Sequence, residues 1–307
     1  MGKKSLREAV EFLIAKPGYL KKGNEYLALY LGTNKKNVSK AKKLAKKHIL
    51  SLEEDNVVVK SEKKAFKRLF FDIETSYNKV ASFRIGETRI DYNAILEEKA
   101  VICICYKWED DPQIHSLEWN KGDDKQMLID FMKILESADQ LVGHNSDNFD
   151  IKWLRGRCLY HRIPMFPDFN TVDTLKLSRT MNLNSRRLDY LGRYLKLGHK
   201  LETGGLDLWI DIVEHNNPEA MNLMIKYCKQ DVNLLQKVYT ELQPYCKPKT
   251  HVGVHIGNGK HTCPNCGSEH SMSKGRVISA LGTIKHRRLC FDCKQNYYIS
   301  DALYKKL

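Results

Sequence analysis

The run Leu69-Phe70-Phe71-Asp72-Ile73-Glu74-Thr75 sets two carboxylates inside an apolar stretch. In an extended strand residues i and i+2 share a face, so Asp72 and Glu74 project together while Phe71 and Ile73 point to the opposite side. Two carboxylates side by side repel, and one stays protonated unless a cation neutralises them. A hard divalent ion such as Mg²⁺ or Mn²⁺ removes that conflict. Taken alone, Asp-x-Glu at a strand end is more often a solvated edge than a metal site.

Around this run the pattern is that of an α/β domain. Val101-Ile102-Cys103-Ile104-Cys105-Tyr106 and the alternating stretch 113–119 read as two further strands. A helix is expected over 124–137, capped by Asp123-Asp124, then a short strand at 140–143 and a helix over 149–161. A fifth strand is expected over 171–177, with helices at 187–195 and 218–242, the last opened by Pro218 in its first turn. Strands first and strand–helix alternation afterwards predict a mixed sheet flanked by helices.

Two more segments carry carboxylates. Gly143-His144-Asn145-Ser146-Asp147-Asn148-Phe149-Asp150 joins a strand end to a helix, where α/β sheets place their ligands. Asp147 and Asp150 are both candidates there, and Asn148 or Asp147 also suits a helix cap. In Tyr227-Cys228-Lys229-Gln230-Asp231 the phenol and the carboxylate lie four apart on a helix and share a face.

Together, Phe-Asp-Ile-Glu-Thr, Asn-x-x-Asn-Phe-Asp and Tyr-x-x-x-Asp resemble, in order and wording, the DEDD 3′→5′ exonuclease superfamily. Region 66–243 is similar to the proofreading exonuclease domain of family-B DNA polymerases, and more so to the stand-alone ribonuclease H-like exonuclease domains of bacteriophage genomes. Thr171-Val172-Asp173-Thr174-Leu175 and Leu188-Asp189-Tyr190-Leu191 sit where those domains carry similar phrases. The resemblance implies a ribonuclease H-like fold and phosphodiester hydrolysis with two Mg²⁺ or Mn²⁺ ions. It implies that Asp72, Glu74 and Asp231 ligate one ion, with Asp72 bridging to a second that Asp150 holds through water. Tyr227 would position the attacking water, which places the chain on the tyrosine branch. Asp147 and Asp173 match no ligand position and are expected to be structural. No polymerase-like region follows, so proofreading in cis is not expected.

Nine cysteines are an odd number, and Cys103, Cys105, Cys158, Cys228 and Cys246 are scattered, so no disulfide framework is indicated. Cys263-x-x-Cys266 and Cys290-x-x-Cys293 are different. Each pair can close a turn on one tetrahedral ion, and 276–289 between them suits a hairpin. This resembles a zinc ribbon holding one structural Zn²⁺, with His270 and His286 as bystanders. Lys285, Arg287, Arg288, Tyr297 and Tyr298 suit nucleic-acid contact, although protein docking or a solvated face accounts for them as well.

At the other end, 26–40 resembles a helix-turn-helix, with Ala28 at the helix contact, Gly32 in the turn and Val38 anchoring the second helix. That second helix carries Lys35, Lys36, Lys40 and Lys43, placed to meet DNA phosphates. A small bundle with a charged outer face is the plainer reading.

The net charge of +14 is unevenly spread. Residues 1–64 carry 16 Lys+Arg against 7 Asp+Glu and 245–307 carry 11 against 3, whereas 65–244 carry 24 against 27. Basic flanks around an acidic centre suit a polyanionic substrate, DNA or alternatively RNA. No stretch is long and apolar enough to span a membrane, and the N-terminus reads as an amphipathic helix and not a signal peptide, so a cytoplasmic setting in a bacterial or phage-infected cell is expected. The expected domains are a basic helical arm at 1–50, a connector at 51–65, the nuclease at 66–243, a linker at 244–255 and the ribbon at 256–307. Two rivals stay open: a ribonuclease or structure-specific endonuclease on the same fold, and a non-catalytic nucleic-acid-binding regulator. Protein partners are not indicated.

Overall fold

The computed structural model describes residues 5–57, 65–83, 86, 89–200 and 204–307, and the chain forms two compact units that divide between Lys64 and Ala65. In the first, helix α1 (Leu6–Ala15) opens with a capping box. The Ser5 hydroxyl accepts from the Glu8 amide while the Glu8 carboxylate accepts from the Ser5 amide. Helix α2 (Asn24–Leu31) ends at Gly32, whose φ of 63° gives the turn the left-handed residue it needs. Helix α3 (Lys35–Val57) follows. Ala9, Leu13, Leu27, Val38, Ala41 and Ala45 are fully buried between the three helices, with Ala28 packed at the edge. A short strand suggested by Asn56-Val57-Val58-Val59 does not form at its start, because α3 continues through Val57; Val58 and Val59 lie outside the described residues.

The second unit begins with β1 (Arg68–Thr75), the small hairpin β2 (Lys79–Val80) and β3 (Ile95–Glu97), then β4 (Val101–Trp108) and β5 (His115–Glu118). Helix α4 (Lys125–Glu136), β6 (Gln140–Gly143), α5 (Asp150–His161), β7 (Thr171–Asp173) and α6 (Thr174–Ser178) alternate after it. Helices α7 (Leu188–Tyr194), α8 (Leu206–Val213) and α9 (Pro218–Leu242) complete the α/β body. The sheet order is β5-β4-β1-β6-β7. Strand β1 pairs antiparallel with β4 and parallel with β6, which is parallel to β7. This is the mixed, helix-flanked sheet of a ribonuclease H-like fold.

Central position explains the composition of β1. Leu69, Phe70 and Phe71 are at most 1% exposed because helices cover both faces. Phe71 meets Phe131 of α4 at 5.8 Å between ring centroids, and Phe70 meets Tyr239 of α9 at 5.5 Å on the other side. Truncating either phenylalanine to alanine would cost about 3–5 kcal/mol. Helix α9 starts where its sequence says it should, with Pro218 in the first turn and the Asn217 carbonyl oxygen of the side chain accepting from the Glu219 and Ala220 amides.

Four local expectations are corrected. The strand over 171–177 stops at Asp173, whose carboxylate accepts from the Leu175 and Lys176 amides and so starts α6. At the start of α4 it is Asp123 whose carboxylate accepts from the Lys125 amide, at 2.9 Å; Asp124 holds the N-cap position, but its fully buried carboxylate accepts from Arg157, His161 and the Val101 amide instead. Neither Asn148 nor Asp147 caps α5, since Asp147 pairs with Lys176 at 2.7 Å and the Asn148 amide turns toward Asn145. Residues 244–255 are packed, not a loose linker. Thr250 donates to Asn170 at 2.8 Å, and helix α10 (Val252–His255) begins with a buried Val252.

The C-terminal part is an antiparallel sheet in the order β10-β9-β8, from β8 (Ser271–Ile278), β9 (Ile284–Cys290) and β10 (Asn296–Ser300), closed by the short α11 (Asp301–Tyr304). Its small core is Cys263, Cys290, Tyr297 and Ile299. It docks on the α/β body through polar pairs: Gln295 with Gln243, Gln295 Nε2 to the Cys246 carbonyl at 3.1 Å, and Arg68 to the Asn265 carbonyl at 3.4 Å.

Candidate functional site

The β1–β4 ladder sets Asp72 opposite Cys105 and Glu74 opposite Cys103, all on the face that α9 covers. The register shifts between Glu74 and Thr75. Just beyond, the Thr75 carbonyl accepts from Trp209 Nε1 at 3.0 Å, which ties the strand end to α8. Asp150 enters from the first turn of α5, 3% exposed, and its Oδ1 accepts from the Ile73 amide at 3.2 Å. Asp231 is 1% exposed on α9. One helical turn earlier Tyr227 joins it at a shared cation: Lys200 Nζ donates to the Tyr227 hydroxyl at 3.1 Å and pairs with Asp231 Oδ2. The five residues singled out from the sequence therefore meet at one place.

Their charges act on one another. Burial above all, then repulsion from Asp150, Glu74 and Asp231, drives the Asp72 carboxyl well above the usual carboxylate range, and Lys200 pulls only partly the other way. Burial followed by Asp231 pushes Glu74 up to about 8. Burial pushes Asp150 up to about 7 against the hydrogen bonds from its own amide and that of Ile73. Asp231 is raised by burial despite Lys200. Burial and then Asp231 push the Tyr227 phenol up to about 12. Lys200 itself is raised: burial works against its charge, and Asp231 outweighs it.

One lysine cannot neutralise four carboxylates, and Asp231 Oδ1 is buried with no hydrogen-bond partner. A set of hard oxygen donors with surplus negative charge and an unsatisfied buried oxygen fits divalent cations of the Mg²⁺ class. The second candidate metal centre is chemically distinct. The sulfurs of Cys263, Cys266, Cys290 and Cys293 all lie within 4.8 Å of one another, with Cys263–Cys293 at 3.5 Å and Cys266–Cys290 at 3.6 Å. Four converging thiols fit one tetrahedral zinc ion, and the small sheet fits a zinc ribbon. His286 stands aside, bonded to Asp301 at 2.9 Å, and His270 is exposed.

Lys200 is the participant that the sequence did not disclose. It stands in Leu197-Gly198-His199-Lys200, where its only mark is to be a cation between the second and third carboxylate motifs. With His144, Asn145, Arg187, Asp189 and Arg193 it lines an open groove of about 610 Å³, in which Arg193 is paired with Asp189 at 2.9 Å. Asp173 is also closer to the centre than expected. It caps α6 as a structural residue would, yet its Oδ2 is buried without a partner and its charge helps to raise Asp150.

The expected basic contacts divide. Lys36, Lys40 and Lys43 are exposed on α3, whereas Lys35 pairs with Glu25. Arg287 is exposed and stacks over Tyr298 at 5.8 Å. The alternation of β9 turns Arg288 to the other face, where it is half-buried and donates to the Ser271 hydroxyl and carbonyl at 3.0 and 2.9 Å. Among the described residues no helix is long and apolar enough to cross a membrane.

Comparison with known proteins gives three findings. No curated protein matches the chain. Among solved structures it is similar to the family B DNA polymerase from the hyperthermophilic archaeon Pyrobaculum calidifontis, at 18% identity and a TM-score of 0.47, over 59% of this chain and 25% of that one. The family model of the RNase H superfamily matches residues 69–243, which is more than half of the sequence and includes every residue of the carboxylate centre. The chain belongs to the RNase H superfamily.

Proposed function

We propose that the chain is a metal-dependent 3′→5′ exonuclease that hydrolyses the phosphodiester bonds of DNA. Membership of the RNase H superfamily supports nuclease activity in general. The observation that carries the finer reading is the convergence of Asp72, Glu74, Asp150 and Asp231 on one place together with a tyrosine hydroxyl.

In this reading Asp72, Glu74 and Asp231 hold one Mg²⁺ or Mn²⁺ and Asp150 a second. Such ions, when bound, activate water and polarise the scissile phosphate. The protein's own part concerns protons and position. Tyr227 is protonated at neutral pH as any phenol is, and burial and Asp231 push it further up, to about 12. Its oxygen accepts from the Lys200 ammonium and its hydroxyl also hydrogen-bonds Asp231, so a water attacking beside Asp231 would meet a phenol held in place. Tyr227 therefore orients the nucleophile and is not its base. The groove lined by Arg187, Arg193 and Lys200 suits the phosphate backbone entering the site. Lys36, Lys40 and Lys43 on α3 and Arg287 with Tyr298 on the ribbon-like sheet are proposed as further DNA contacts, and one Zn²⁺ as the ion of the four cysteines.

The test uses 5′-labelled single-stranded DNA, duplex DNA and RNA with Mg²⁺ or Mn²⁺, wild type beside Asp72→Ala. A ladder shortening from the 3′ end of DNA, lost with EDTA and with the substitution, is the expected result. Internal cuts, or cleavage of RNA alone, would replace the exonuclease reading with one of its rivals. Tight binding without cleavage of any substrate would leave a nucleic-acid-binding regulator.

A further inference from the structure

A second group of thiols lies outside the ribbon-like sheet. Cys103 and Cys105 are alternate residues of β4, opposite Glu74 and Asp72, and Cys228 reaches the same face from α9. All three are buried, at most 1% exposed, and their sulfurs lie within 4.8 Å of one another. A lone buried cysteine is an ordinary small apolar residue. Three from two different elements, aimed at one point beside a carboxylate, are a donor set. Two sulfurs held tetrahedrally at ~2.3 Å from one ion stand ~3.8 Å apart, so three sulfurs within 4.8 Å of one another close on an ion with shifts of at most about 1 Å.

The trio shares Cys228 with a second group, Asp72 and Glu74, which offers a further donor and a way in. Cys228 Sγ lies 3.8 Å from Asp72 Oδ2, and Asp72, Glu74 and Cys228 by themselves bring their ligand atoms within 4.8 Å. Unlike the thiols, Asp72 and Glu74 keep part of their surface open to solvent. An ion arriving at the carboxylates therefore meets the Cys228 sulfur first and the other two behind it.

We propose that Cys103, Cys105 and Cys228 form a site for a thiophilic divalent ion of the zinc class, that the neighbouring Asp72 carboxylate shifts to complete it, and that filling it shuts the nuclease off. Three sulfurs and one oxygen select a soft or borderline ion over Mg²⁺. Binding releases the three thiol protons and forms three metal–sulfur bonds with no change of oxidation state. Asp72, drawn to this ion, is lost to the all-oxygen centre. Only this inhibitory consequence rests on the nuclease reading; the site itself does not.

The deciding experiment titrates the metal-free, reduced full-length chain with Cd²⁺ in millimolar Mg²⁺ and follows sulfur-to-cadmium charge-transfer absorption. The expected end point is two Cd²⁺ per chain with the amplitude of seven thiolates, four from the Cys263 cluster and three from the trio. Cys105→Ala and Cys228→Ala should each stop at one Cd²⁺, while Cys266→Ala should keep the trio's share. A wild type that saturates at one Cd²⁺ with four thiolates overturns the site, whatever the variants do. So does a folded Cys228→Ala that still takes two. In parallel, micromolar Zn²⁺ should inhibit cleavage at saturating Mg²⁺, with an inhibitory concentration at least tenfold higher for Cys105→Ala. Equal inhibition of both refutes the regulatory half. If no substrate is cleaved, the nuclease reading fails, yet the thiolate count still decides the site.

Discussion

Divalent-metal affinity at the carboxylate centre should depend steeply on pH, because the ion must displace protons that burial and repulsion hold in place. Asp150 is pushed to about 7 and Glu74 to about 8. At pH 6 both are largely protonated and at pH 9 both are largely ionised. Treating the two as independent and leaving the also raised Asp72 aside, Mn²⁺ affinity should rise at least about 10³-fold between pH 6 and pH 9, roughly 4 kcal/mol, with about two or more protons released per binding event at the lower end. Isothermal titration with Mn²⁺ in two buffers of different ionisation enthalpy measures both quantities. Glu74→Gln removes the step near pH 8, so the remaining rise should shrink to about tenfold. The sign for stability follows from the same shifts. Both carboxyls are raised in the folded state, so their stabilising contribution is full at low pH and is lost as pH rises through about 7 and about 8. The metal-free protein should therefore melt lower at pH 9 than at pH 6, and Glu74→Gln should flatten that fall. Affinity that is flat from pH 6 to pH 9, with no proton release, would show that Lys200 alone keeps the carboxylates ionised and would refute the reasoning.

Other outcomes follow from the same structure. Lys200→Gln leaves Asp231 without its cation; the metal-free protein should lose about 1–3 kcal/mol at pH 7, less than a wholly buried pair because Lys200 keeps 32% side-chain exposure. Its Tm should drop by several degrees, and an unchanged melting curve would contradict the pairing. Cys266→Ser should collapse protection across β8–β10 in hydrogen exchange and extend the loss to Arg68, which donates to Asn265. Joint reversal of Lys36, Lys40 and Lys43 to Glu should reduce the slope of log affinity for duplex DNA against log salt by about 2–3, near 0.9 per phosphate contact. Arg288→Ala should destabilise the ribbon-like sheet, whereas Arg287→Ala should leave its melting unchanged and weaken DNA binding.

What could be read from the sequence, and what could not, divides along physical lines. Strand β1 and helix α9 were legible because local rules specify them. Alternation aims Asp72 and Glu74 together, and the cap at Asn217-Pro218 with four-residue spacing aims Tyr227 and Asp231. The paired Cys-x-x-Cys turns were legible for the same reason. Asp124 was misread because an acid before a helix looks like a cap, and only the fold brings Arg157 and His161 to claim it. Helix α8 was passed over, although its Trp209 anchors the end of β1. Lys200 had no local pattern at all; its meaning arises when its loop meets α9. The trio of thiols was dismissed as scattered residues, since pairing Cys103 and Cys105 with Cys228 requires the β4–α9 packing.

The packing of α9 on β1 also bears on how the chain is made. Asp72 and Asp231 stand about 160 positions apart, with almost the whole α/β body between them. Contacts of such long sequence separation form late in folding, after many closures of shorter range. On a ribosome, β1, β4 and β6 can assemble a hydrophobic sheet well before α9 has been synthesised. A nascent chain of that length already carries Asp72, Glu74 and Asp150, but it lacks Asp231 and the tyrosine. On the reading proposed above, the hydrolytic centre would thus be withheld from products truncated before α9.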